Sequence, residues 1–495
     1  MHYPQLTLYN TATQKKERFV PIKKNEVRVY SCWPTVYSRQ HLWNLRAAFY
    51  VDFLRRVLHH ICWYEVMHVM NVTDVWHLTG DNEWDASQWE DRMEKWARLE
   101  WVSARDVAKK YAWLYYKDLD LLHITTTTKQ EDRSSNAILM TYATEHIQEQ
   151  ITMIKKFEEQ WLTYIIPSDG VYMDTSRIEN YGCLLCEEHL DGIHQWARIK
   201  WTEKKNPTDF ALWKFNLTGK KRDMERESPR WVWFPWRHIE CSAMAIAYLG
   251  EQFDIHTWWM EHIPVHHTNE IAQSEAFTST SPRVKYWFHY QWLMMNNQKI
   301  AKSTGNIALM DDVIERWYTW EDMRFFYLQA QYRSFHDFTR ERLDAAAKAR
   351  KWLIKKIVDY YRTEQTPCVF DTNMTVQTNK YYQHLVTILC DDLATPQLLS
   401  EIFDRIKNNP NKECIEAILT LDMSLFSCGI IEGVKKWLQV NPVSIPEEIE
   451  LLAQKRLTAK NNKDYALADR LREEAKKQWW LLIDTPSWQS IEPLC

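Results

Sequence analysis

The run Val27 to Ser31, ending at Cys32-Trp33-Pro34, limits the possible folds more than any other stretch of this chain. It is largely β-branched and apolar, and it reads as a buried strand entering a tight loop. Leu45 to His59 follows, with apolar residues at helical spacing and Arg55-Arg56 near its end, and reads as a helix. Tyr64 to Val72 is a second strand. Strand, loop, helix, strand is a βαβ unit, which argues for a parallel, doubly wound sheet. In such sheets ligands bind at the carboxyl ends of the strands. Cys32 falls there, and His41 follows in the same loop.

Further along, Ala104 to Leu122 and Ile138 to Trp161 read as helices. Residues from about 115 to 225 read as an excursion before the sheet resumes, and Gln252 to His256 as another strand end. Arg342 to Tyr361, Gln397 to Ile406 and Glu447 to Lys477 are helical by periodicity, so the last third is an α-helical module. The 495 residues leave room for about three domains. No run of about 18 apolar residues exists, so no membrane span is expected. Met1-His2-Tyr3-Pro4 lacks the basic and apolar regions of a signal peptide. The net charge of -4 requires any nucleic-acid contact to come from local basic patches. Ten scattered cysteines suit a reducing compartment. Their one close pair, Cys183 and Cys186, reads either as a metal or redox CxxC or as two unrelated thiols.

Two constellations carry possible chemistry. Cys32 at the strand end, Cys241 in His238-Ile239-Glu240-Cys241, and His266 and Glu270 one helical turn apart form a donor set that suits tetrahedral zinc. The same residues also read as two buried thiols beside a helix-face pair, and His267 competes with His266. Lys299-Ile300-Ala301-Lys302-Ser303 places two lysines three apart in a loop. Such a loop is either a cationic clamp for a polyphosphate or an ordinary solvated segment.

The lysine loop, together with Pro34 to Asn44 ending in His41-Leu42-Trp43-Asn44, resembles the KMSKS and HIGH motifs of class I aminoacyl-tRNA synthetases. The flanking segments resemble the cysteinyl-tRNA synthetase family. These include Cys32 to Tyr37, Asn71-Val72-Thr73-Asp74, Lys205 to Lys214, His238 to Met244, His266 to Ser274 and Asp391 to Pro396. The resemblance implies an α/β fold: a class I synthetase-type, Rossmann-like doubly wound parallel sheet with an inserted domain and C-terminal α-helical domains. It implies a catalytic first half over 1–115, a connective insertion over 116–225 and a catalytic second half over 226–285. A stem-contact region over 286–345, a helical anticodon-side domain over 346–440 and a tRNA-binding extension over 441–495 complete the division.

The function implied is that of a cysteine–tRNA ligase that uses ATP with Mg²⁺ and holds one Zn²⁺ per chain. Cys32, Cys241, His266 and Glu270 correspond to the zinc ligands. His41, Trp43, Asn44, Lys302 and Ser303 correspond to the ATP site, with His41, Asn44, Lys299 and Lys302 catalytic. Thr35, Thr73, Arg237 and His256 correspond to the cysteine pocket. The implied partners are tRNA(Cys), L-cysteine and ATP, for a cytoplasmic monomer away from membranes. A soft thiolate binds zinc far better than a hydroxyl, which removes the need for a serine-editing site. Two rivals remain. A cysteine ligase of mycothiol biosynthesis resembles the catalytic half, but the helical last third argues against it. A non-catalytic tRNA- or zinc-binding pseudoenzyme is the reading that Trp43 favours.

The chain departs from the family pattern at recurring positions, which read either as a decoding artefact, with a stop codon reassigned to glycine translated as tryptophan and some tryptophan codons as arginine, or as a diverged protein with a blocked ATP site. It has 9 glycines and 27 tryptophans, whereas about 7% glycine is usual. Trp43 stands at the glycine of HIGN, Trp33 at that of CGP, and Trp63 at that of a GYEV turn. In Ser228 to His238 three family glycines appear as Trp231, Trp233 and Trp236, and two tryptophans as Arg230 and Arg237. Trp213 and Trp287 stand where the family also has tryptophan.

Overall fold

A computed structural model describes residues 5–32, 35–74, 92–132, 136–185, 203–215, 226–227, 232–235, 238–295, 298–299, 309–365, 376, 378–439, 447–462, 464–478, 480–484 and 489–493. Its centre is a six-stranded sheet of β1 (Glu26–Ser31), β2 (Glu65–Val72), β3 (Thr126–Thr127), β4 (Ile138–Tyr142), β5 (Phe253–Trp259) and β6 (Val284–Tyr290). The spatial order is β6-β5-β1-β2-β4-β3, and every pairing is parallel. β5 is buried along its whole length, as expected for an inner strand of a sheet covered on both faces. The strand order reverses at β1, with β5 on one side and β2 on the other. That reversal opens a crevice at their carboxyl ends.

The α-helices described over residues 42–328 are α1 (Leu42–Arg56), α2 (Arg92–Glu100), α3 (Ala104–Leu121), α4 (Ile147–Glu159), α5 (Ile239–Leu249), α6 (Thr268–Thr278), α7 (Met310–Ile314) and α8 (Trp320–Leu328), and further helices follow, among them Arg340–Glu364 and Thr395–Asn408. α1 and β2 form the expected βαβ unit with β1, the helix running on through a π turn at Val57–Ile61.

The stretch Ile138 to Trp161 is not one helix. Ile138–Tyr142 is β4, paired with β2, and α4 starts only at Ile147. The apolar run Ile138-Leu139-Met140 fits a buried strand as well as a helix, and pairing with β2 decides it. The main sheet therefore reaches into the stretch expected to be an excursion. A second, antiparallel sheet follows, built from Thr163–Ile166, Gly170–Met173, Phe210–Phe215, Arg226–Glu227 and Val232–Pro235. It shares a core with α4 through Val171, Met173, Leu212, Trp213, Met153 and Phe157. Gly170 is required there, because a Cβ would lie 2.1 Å from the Trp213 carbonyl oxygen.

The chain divides into two compact units, Met1–Tyr360 with Val369–Ile431, and Tyr361–Cys368 with Glu432–Cys495. In the second, the expected helix Glu447 to Lys477 is two helices, Glu447–Asn461 and Tyr465–Lys477. Asp464 caps the latter by accepting from the Leu467 N–H at 3.0 Å. An unexpected hairpin, Trp480–Asp484 with Gln489–Pro493, follows. Ile449, Leu452, Leu471, Ala475 and Trp480 share one core.

α1 ends in a buried ion cluster. Asp52 has no exposure and meets Arg55 at 2.6 Å, Arg56 at 2.7 Å and Arg324 at 3.7 Å. Burial pushes the Asp52 carboxyl up, but the Arg56, Arg55 and Arg324 guanidiniums outweigh it and hold the group well below the usual carboxylate range. Asp52→Asn is expected to cost about 3–5 kcal/mol in urea denaturation, because it strands buried positive charge.

Burial also lowers His68 to about 3 and His336 to about 3. Both stay neutral in the fold, while the unfolded chain takes up protons below about pH 6.5. Unfolding stability therefore falls as the pH drops from about 6.5 toward 3. His336→Phe, which keeps the stack on Phe326, is expected to flatten that slope in urea titrations between these limits.

Candidate active site and metal centre

The crevice at the switch point collects four donor side chains. Cys32 follows directly on β1, and its N–H donates to the Thr257 carbonyl of β5 at 3.4 Å. Cys241 lies in the first turn of α5. His266 closes a π turn, Ile263–His267, that runs into α6, where Glu270 sits one turn later. The Cys32 Sγ lies 3.7 Å from the Cys241 Sγ, 3.2 Å from His266 Nε2 and 3.3 Å from Glu270 Oε1. His266 Nε2 is 2.7 Å from Glu270 Oε1. All four donor atoms fall within 4.8 Å of one another.

Two thiolates bound at about 2.3 Å to a tetrahedral zinc lie about 3.8 Å apart, so the sulfur spacing fits that ion. The electrostatics fit as well. Burial pushes the Cys32 thiol well above its usual range, and the adjacent Cys241 and Glu270 push it further. Burial pushes His266 down, but Glu270 and Cys241 outweigh it and raise the imidazole to about 10. Burial pushes Glu270 up, and His256 and His266 hold it well below the carboxylate range. Two sulfurs and a carboxylate in a dry pocket call for positive charge, and a divalent cation supplies it.

Further residues orient the donors. His238 Nδ1 lies 2.6 Å from His266 Nδ1, which leaves Nε2 turned to the sulfurs. His256 Nε2 lies 3.0 Å from Glu270 Oε2, its ring stacked on Trp287. Two overlapping sets, Cys32-His256-His267-Glu270 and Cys32-His262-His266-His267, also meet the spacing. Neither includes the second thiol. The Nδ1 of His267 lies 2.7 Å from His289 Nε2.

Beside the donors, Thr35 forms a parallel bridge with Thr73, just past β2. Asn71 Nδ2 donates to Thr73 Oγ1 at 2.9 Å, and that hydroxyl donates to Glu240 Oε2 at 3.2 Å. Burial, reinforced by Cys241 and Asp74, raises the Glu240 carboxyl to about 8. His41 is the N-cap residue of α1. Trp43 and Asn44 stand in the first turn of that helix. The Asn44 amide donates to Gln40 Oε1 at 2.6 Å, and Trp43 stacks on Trp259 with centroids 5.1 Å apart. Lys299 lies in a two-residue strand whose backbone pairs with Met294. The Lys299 side chain, Lys302, Ser303 and Arg237 lie outside the described residues.

Three residues were not anticipated in these roles. His238 and Glu240 precede the Cys241 ligand position by three residues and one, and that proximity was the available signal. Arg39 joins Asp118 of α3, at 2.8 Å, to Asp311 of α7, at 2.9 Å. Nothing in local sequence pointed to that bridge, since its partners are 79 and 272 residues away.

The class I (C) tRNA synthetase catalytic domain family matches residues 18–348. Cysteine–tRNA ligase 1 of Burkholderia lata is 35% identical over 487 residues, covering 98% of this chain and 96% of its own length. The cysteine–tRNA ligase of Treponema denticola is 35% identical, covering 97% and 98%. That of Chlamydia trachomatis serovar A is 32% identical, covering 99% and 100%. Among solved structures, Mycobacterium tuberculosis methionyl-tRNA synthetase in complex with methionyl-adenylate is similar with a TM-score of 0.52 and 13% identity, over 90% of this chain and 96% of that one. It shares the fold.

Metal analysis of the purified chain is expected to find one zinc per chain. Cys32→Ala, Cys241→Ala and Glu270→Ala should each lose it, while His267→Ala and His262→Ala should keep it. Loss in a His267 variant with retention in a Cys241 variant would move the ion to one of the other two donor sets.

Proposed function

Because the chain belongs to the cysteine–tRNA ligases among the class I aminoacyl-tRNA synthetases, we propose that it activates L-cysteine with ATP and Mg²⁺ and charges tRNA(Cys). In the first step the cysteine carboxylate attacks the α-phosphorus of ATP and pyrophosphate leaves. In the second, the 3′-terminal hydroxyl of the tRNA attacks the adenylate carbonyl and AMP leaves. The observation that carries this reading is the meeting of Cys32, Cys241, His266 and Glu270 at the switch-point crevice.

A zinc ion held by these four residues supplies a soft Lewis acid that prefers the thiolate of cysteine over the hydroxyl of serine. The remaining work falls to the chain's own side chains. His238 and His256 hold two of the donors in position. Thr35, Thr73, Arg237 and His256 form the amino-acid side of the site. His41 and Asn44, at the N-terminal end of α1, address phosphate oxygens where the helix dipole favours negative charge. Lys299 and Lys302, with Ser303, meet the charge that develops on the leaving pyrophosphate. Catalysis is by placement and charge, with no protein nucleophile. The same reading makes the part of 116–225 that follows β4 the connective insertion, 286–345 the stem contact, 346–440 the anticodon side and 441–495 a further tRNA contact of a cytoplasmic monomer.

One feature has to be reconciled with this reading. The stacked indoles Trp43 and Trp259 stand at the start of α1 and the end of β5, beside the position this reading gives to ATP.

Cysteine-dependent ATP–pyrophosphate exchange separates these readings. Exchange with cysteine and none with serine is expected, and His41→Ala should lower kcat about 100-fold or more. Zinc-loaded chain without exchange would favour the binding protein. Charging of an amino-sugar in place of tRNA would favour the mycothiol-type ligase.

A further inference from the structure

Among the described residues, fourteen non-glycine residues have φ between +46° and +74°, and four of them are tryptophan: Trp63, Trp101, Trp161 and Trp317. Each closes a helical segment. Trp63 follows the π turn after α1, and Trp101, Trp161 and Trp317 follow α2, α4 and α7.

The last three sit in complete Schellman motifs. The Trp101 N–H donates to the Arg98 carbonyl at 3.4 Å, and the Val102 N–H to that of Ala97 at 3.0 Å. Trp161 and Leu162 repeat this with Glu158 at 3.0 Å and Phe157 at 2.9 Å. Trp317 and Tyr318 repeat it with Ile314 at 3.0 Å and Val313 at 3.3 Å. The left-handed position of this motif is the one that helices most often give to glycine, because a Cβ there crowds the following carbonyl.

Nothing in the surroundings offsets that crowding. Trp101 and Trp317 are each 93% exposed and Trp161 77%, so these indoles bury almost no apolar surface. The other tryptophans of the core behave in the opposite way. Trp213 and Trp287, which stand where the family also has tryptophan, lie buried in strands. Among the described residues, some tryptophans are thus placed by packing and these four stand where backbone geometry calls for a residue without a side chain. Only 9 glycines stand in 495 residues beside 27 tryptophans.

We infer that residues 63, 101, 161 and 317 are glycine in the protein as its own cell makes it. The codon written as tryptophan at these positions is one that the source organism decodes as glycine. This inference rests on backbone geometry and exposure, and it stands whether or not the proposed reaction does.

Peptide mass spectrometry on protein purified from the source organism tests it. Glycine at 63, 101, 161 and 317, with tryptophan at 213 and 287, is the expected result. Tryptophan at any of the four overturns it. Thermal unfolding of recombinant protein tests the physical premise. Replacing all four tryptophans by glycine in the chain as written should raise the melting temperature, on the order of 5 °C, while Trp213→Gly should lower it. A melting temperature that is unchanged or lower in the four-glycine protein also overturns the inference.

Discussion

A guanidinium with no exposure, that of Arg46, fastens the first helix to the rest of the catalytic unit. Its Nη1 donates to the carbonyls of Gln291 at 2.5 Å and Trp292 at 2.8 Å, and its Nη2 to that of Ser334 at 3.0 Å. A buried cation without such acceptors would cost several kcal/mol, roughly, so these segments and the helix are held together or not at all. One turn on, the Tyr50 hydroxyl donates to the carbonyls of Tyr327 and Ala330. At the far end, Asp52 gathers its three arginines. α1 therefore acts as a beam. Its N-terminal end carries His41, and its side fixes the exit of β6 that leads toward Lys299. The two ends of the proposed ATP site are referred to one rigid element rather than to each other's loops.

The donor cluster is organised in the same spirit, by elements that have no other reason to meet. A strand end, the first turn of α5 and a π turn leading into α6 each deliver one or two groups. His238, at a strained φ of +74°, holds the imidazole of His266, and His256 holds the carboxylate of Glu270. The geometry is over-determined by neighbours, which is what keeps ligands in place before an ion arrives.

The βαβ unit was legible because its signals are local: a β-branched run, a helical period, a second run. Ligand types were legible only through the resemblance, since 209 residues separate Cys32 from Cys241 and no periodicity spans that gap. The misreading of Ile138–Tyr142 has a physical cause. Three apolar residues before an amphipathic helix extend its pattern, and only the pairing with β2 separates them. The break at Asn462 was missed because helical periodicity continues across it, whereas the capping Asp464 stops it. The C-terminal hairpin carries too few residues to announce itself. Arg39 depends on contacts that no window of sequence contains, whereas His238 and Glu240 stand next to Cys241 in sequence but meet His266 and Thr73 only in the fold.

The parallel order of the sheet also fixes when this site can exist. β1 pairs with β5, and Cys32 meets Glu270 across 238 residues. At about 5–20 residues per second of synthesis, roughly 10–50 s pass between the emergence of the first donor and the last. Throughout that interval the nascent chain carries Cys32 on an unfinished sheet, with a thiol open to oxidants and stray metals. Closing the sheet and burying the thiol are then a single late event.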